Sequence, residues 1–106
     1  MNHKQVEDYL LSLPGAKLDY PFGENTAVYK VNDKMFALVD EKSDPVSLSL
    51  KCDPVLAVHL RQKYESVMAG YHLNKKHWNT IVLSGQLSWE DIKDLIRHSY
   101  DLVDQT

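Results

Sequence analysis

A chain of 106 residues with 43% hydrophobic and 25% charged side chains has the makeup of one globular domain, residues 1–106, which excludes a multidomain enzyme and a disordered tail. Folding is expected to leave about 6,000 Å² of surface from roughly 17,700 Å² in the open chain, enough burial for one core. The net charge of −3 argues, taken whole, against a polyanion partner, and the single cysteine, Cys52, excludes an internal disulfide and a thiolate-rich metal site.

The polar, acid-bearing start Met1 to Asp8 reads as neither signal nor transit peptide. No apolar run approaches the roughly 20 residues of a membrane span, so a cytoplasmic protein with no membrane partner is expected.

The first helix starts at Asn2 as N-cap, with Gln5 completing a capping box and Val6, Leu10 and Leu13 forming its apolar stripe. Pro14-Gly15 ends it. Short strands follow over 17–20, 26–31 and 34–39, the last two flanking Asn32-Asp33, a pair suited to a tight hairpin turn. Residues 46–51 alternate strictly, Val46, Leu48 and Leu50 on one face and Ser47, Ser49 and Lys51 on the other. Asp53-Pro54 caps and opens a second helix running to about residue 63, with Leu56, Leu60 and Tyr64 inward and Arg61 outward. Val67-Met68 and 80–83 read as strands, and Ser88 caps a last helix whose buried stripe is Ile92, Leu95, Ile96, Ser99 and Val103. The order α-β-β-β-β-α-β-β-α predicts an α+β fold in two layers, an antiparallel β-sheet with helices packed on one face.

Charge is unevenly spread. Residues 51–80 carry five basic and two acidic side chains, net +3, while 1–50 and 81–106 are each −3. Within that third, Gly70-Tyr71-His72-Leu73-Asn74-Lys75-Lys76-His77-Trp78-Asn79-Thr80 mixes aromatics, histidines, lysines and asparagines without apolar periodicity.

This segment fits the Gly-Tyr-His-(Met/Leu)-Asn-Lys-x-His-Trp signature of the MmcQ/YjbR family, which the chain resembles over essentially its whole length. Pro21-Phe22, Lys34 to Ala37, Asp53-Pro54 and Ser99 to Val103 are supporting matches; Ala69 departs from the proline that often precedes the signature glycine. The resemblance implies a fold similar to CyaY/frataxin and to type III secretion chaperones. It also implies DNA binding, through a proposed double-wing arrangement; about four phosphate contacts would make that binding weak and low in specificity, and no cofactor is expected. A shared fold does not by itself establish that function.

The residues give the DNA reading a physical basis. Lys75 and Lys76 can neutralise phosphates, with Lys51 and Arg61 extending the patch; Asn74 and Asn79 can donate to phosphate or base edges; Tyr71 and Trp78 can stack, beside His72 and His77. A structural reading stands next to it: Trp78 as a core or rim residue, the asparagines bonded to loop backbone, the lysines solvated. A protein- or peptide-binding module is the alternative function, using an open sheet face with Tyr29, Phe36 or Tyr20. Tyr20-Pro21-Phe22-Gly23 reads first as a turn plugging the edge of the core. Convergence of Lys51, Arg61, Lys63, Lys75 and Lys76 would favour nucleic acid over peptide.

Metal and catalytic roles are not expected. His72 and His77, five apart, fall on opposite faces of a strand and about 140° apart on a helix. Glu7, Asp8 and the acids around Asp40, considered as a frataxin-like iron surface, read as a solvated face. Phosphate loops, paired metalloprotease histidines and nucleophile-elbow serines are absent. Cys52 before a helix start reads as a buried inert thiol, and His59 and His98 as surface or rim residues.

Overall fold

The computed structural model describes residues 2–70 and 73–105. Its elements are α1 (His3–Ser12), β1 (Lys17–Asp19), β2 (Thr26–Val31), β3 (Lys34–Asp40), β4 (Ser47–Lys51), α2 (Pro54–Lys63), β5 (Val67–Ala69), β6 (Trp78–Val82) and α3 (Trp89–Asp104), in the expected order. The strands form one antiparallel sheet, β1-β2-β3-β4-β6-β5. The accessible surface is 6026 Å².

Local chemistry sets the element ends. Asn2 accepts from the Gln5 N–H at 2.9 Å, Asp53 from Val55 and Leu56, and Ser88 from Asp91, each satisfying donors the first turn leaves free. Asn32 and Asp33 both take positive φ, 54° and 64°, the backbone of the tightest hairpin turn between twisted strands. Asn32 also donates to the Asp104 carboxylate at 3.0 Å, holding the hairpin against the end of α3.

The core lies on one side of the sheet. Val6, Leu10 and Leu13 of α1 join Ile92, Ile96, Tyr100 and Val103 of α3 over Ala27, Tyr29, Val39, Leu48, Leu50 and Ile81. Tyr9 meets Trp89 edge to face at 5.7 Å, locking α1 to α3. The expected alternation in β4 holds: Leu48 and Leu50 are buried, while Ser47, Ser49 and Lys51 are half-buried on the opposite face.

Register overturns one expectation. Tyr29 pairs with Ala37 and Lys30 with Met35, leaving Phe36 as the extra residue of a bulge. The bulge puts Phe36 and Ala37 both in the core, and Phe36 meets Tyr100 edge to face at 5.4 Å. Tyr29 is also fully buried among the core residues. Neither aromatic is on the open face. Phe22, read as an edge plug, is instead 64% exposed. Smaller shifts occur at the strand ends: β1 stops at Asp19, whose carboxylate accepts from the Tyr20 N–H, and β6 starts two residues early, at Trp78.

Candidate nucleic-acid interface

The informative segment leaves β5 and returns as β6, so its ends are neighbours. Gly70 N–H donates to the Trp78 carbonyl at 2.9 Å. A Cβ at Gly70 would lie 2.8 Å from Trp78 Cβ and 3.1 Å from Leu73 Cβ, which makes glycine a steric requirement of this crossing. Asn74 then organises the turn: its carboxamide oxygen accepts from Lys76 N–H at 2.9 Å, and its backbone carbonyl accepts from His77 and Trp78. Lys75 Nζ donates to the Gly70 carbonyl at 3.3 Å, closing the turn from within.

Two neighbouring elements are tied to this turn. Arg61, near the end of α2, sends its guanidinium to the Lys75 carbonyl at 2.8 Å. Cys52 N–H donates to the His77 carbonyl at 2.7 Å, and Lys51 pairs with Trp78 across the β4–β6 ladder. These contacts bring the segments that carry Lys51, Arg61, Lys75 and Lys76 to one end of the sheet, with Lys51 on the face opposite the helices. Arg61, expected to point away, is half-buried because it reaches this carbonyl. Lys63 is on the same helix but its ammonium lies over the Tyr64 ring, 5.2 Å from its centroid.

The other proposed contacts divide. Asn74, Lys75 and Lys76 are exposed and His77 is half-buried. Trp78 and Asn79 belong to β6 and are 8% and 2% exposed. Asn79 faces the helices and donates to the Ala57 carbonyl of α2 at 3.2 Å, so its amide serves packing. Tyr71 and His72 lie outside the described residues.

Cys52 is buried, and burial, with the adjacent Asp53 carboxylate, pushes its thiol up to about 11. A thiolate is disfavoured there at neutral pH. His98 Nε2 accepts from the Asp53 N–H at 3.1 Å, an inter-helix contact. Among the described residues, no three His, Cys, Asp or Glu side chains gather as metal ligands, and no helix is long and apolar enough to cross a membrane.

Sequence reading missed a trough of about 430 Å³ on the open sheet face, walled by Phe22 and Leu73 and floored by Thr26, Leu38, Ser49 and Thr80. Ser49 and Thr80 hydroxyls meet there at 2.8 Å. The polar side of the β4 alternation was its signal; the position of Phe22 over that face had none.

Comparison with known proteins gives a consistent picture. A family model described as YjbR matches residues 11–102. The uncharacterized protein YbdF of Escherichia coli O157:H7 is 36% identical over 101 residues, covering 95% of this chain and 83% of that one. YjbR of Escherichia coli K12 is 36% identical over 100 residues, covering 94% and 85%. The crystal structure of Deinococcus radiodurans protein DR2400, with domain DUF419, superimposes with a TM-score of 0.94 at 39% identity, covering 99% of this chain and 80% of that one. A Pseudomonas syringae crystal structure gives 0.83 at 32% identity, covering 97% and 99%.

Proposed function

The chain belongs to the YjbR family, and from the basic end of its sheet we propose that it is a low-specificity DNA-binding module of the cytoplasm and not a catalyst. The observation that carries this reading is the contact between Arg61 and the Lys75 carbonyl, which joins the basic end of α2 to the lysine-bearing turn. Lys51, Arg61, Lys75 and Lys76, with Asn74 and His77, make the contact surface. Trp78 and Asn79 support it from inside.

Binding is weak and sensitive to salt. Four phosphate contacts give a log–log salt slope of roughly −3.6, at about −0.9 per contact. The −3 charge on each of the flanking thirds of the chain opposes loading onto a polyanion. The test is an amide NMR titration with a short DNA duplex at low and then physiological salt. Shifts confined to 51, 61 and 71–79 that fade with salt support the reading, and their absence at low salt overturns it.

A second reading, a peptide-binding module, is favoured by the trough between Phe22 and Leu73. Its signature would be salt-insensitive shifts at Thr26, Leu38 and Thr80 on adding an extended apolar peptide.

A further inference from the structure

Four buried side-chain polar atoms among the described residues have no hydrogen-bond partner, and three of them gather in one place: Glu7 Oε1, Glu41 Oε1 and the Tyr29 hydroxyl. Glu7 comes from α1, Tyr29 from β2 and Glu41 from just after β3. Tyr29 is fully buried, and the charged groups acting on its hydroxyl are, in order, Glu7, Tyr20, Glu41 and Asp8. Tyr20, from the β1–β2 connection, hydrogen-bonds Glu41. Of these residues Glu41 also lines a shallow opening of about 420 Å³, together with Asn2, His3, Lys42 and Ser43.

Two carboxylates that each bury an unpartnered oxygen repel each other, and those oxygens lack the hydrogen bonds that normally offset desolvation. Lys4 gives no relief, because its ammonium is 3.0 Å from Asp8 on the exposed side of the helix. His3 Nε2 is engaged on the Asp40 carbonyl at 3.2 Å.

We propose that Glu7 and Glu41 form a binding site for a hard divalent cation of the magnesium or calcium class, with the Tyr29 and Tyr20 hydroxyls bonding its remaining waters. Oxygen donors suit such ions, and one or two carboxylates plus retained waters is an ordinary magnesium ligand set. A bound ion would satisfy both orphaned oxygens and pin α1 to the sheet through elements 34 residues apart in sequence. The site is independent of the basic loop.

The test uses the full chain. Manganese chloride, titrated while amide spectra are recorded, is expected to broaden signals saturably around Glu7, Tyr29 and Glu41. Magnesium or calcium chloride is expected to raise the melting temperature above a sodium chloride control of equal ionic strength. Glu7→Gln and Glu41→Gln should each abolish both effects, and Tyr29→Phe should weaken them several-fold while folding normally. Broadening spread over all surface acids, or a melting shift that survives Glu7→Gln, overturns the proposal. So does a cluster that titrates a shared proton with a midpoint unmoved by magnesium.

Discussion

The Ser99 hydroxyl donates to the Phe36 carbonyl at 2.5 Å and, from the other side, accepts the Lys51 N–H at 2.9 Å. The β3–β4 ladder ends at the Ala37–Leu50 pair, and a side chain from α3 bonds the next residue of each strand. Ser99→Ala would leave a buried carbonyl and an amide unpaired, at a cost of about 2–3 kcal/mol. Urea denaturation is expected to show a lower midpoint with an unchanged slope. An unaltered midpoint would mean that water replaces the hydroxyl.

At Gly70 the constraint is space. Since an added Cβ would sit 2.8 Å from Trp78 Cβ, Gly70→Ala must displace the start of the basic turn. The expected destabilisation is about 1–3 kcal/mol, the usual range for overpacking. Amide shifts should extend through residues 73–78, and any DNA affinity should fall although no charge is lost.

Arg61 separates charge from geometry. Arg61→Lys keeps the charge but loses the planar fork that reaches the Lys75 carbonyl. We expect moved amides at Lys75 and Lys76, little change in stability, and a DNA salt slope that stays the same. Arg61→Ala should reduce that slope by about 0.9.

The Glu7 carboxyl predicts a pH dependence of definite sign. Its affinity for a proton is raised in the folded state above the ordinary value of 4.5, chiefly by burial and then by Glu41. The native chain therefore holds that proton more tightly than the unfolded chain. The associated stability is present below pH 4.5 and is lost as pH rises through the folded-state value. With chelator present, denaturation across that window should show a falling contribution that Glu7→Gln removes.

Cys52 is expected to resist alkylation. With the thiol pushed up to about 11 and the side chain 4% exposed, iodoacetamide at pH 8 should react slowly with native protein and fast in urea. Rapid labelling of the native form would place the thiol at the surface.

What was legible in the sequence is what short stretches decide alone. Asn2, Asp53-Pro54 and Ser88 cap their helices through contacts two or three residues away, and Asn32-Asp33 turns a hairpin by its own backbone preference. The β4 alternation marked its buried face because the side-chain period of a strand is two. Element order and the basic third followed from such local signals. Tertiary structure decided the rest, because those outcomes depend on register and on residues distant in the chain. The bulge turned Phe36 into the core, where Ser99, 63 residues away, completes its hydrogen bonding. Early pairing with β4 drew Trp78 and Asn79 out of the loop and into β6. Arg61 found the Lys75 carbonyl 14 residues on. Glu7 and Glu41, read in the sequence as part of a solvated acidic face, became a pair with buried oxygens only when α1 packed against the end of β3, since burial and proximity are properties of the folded chain.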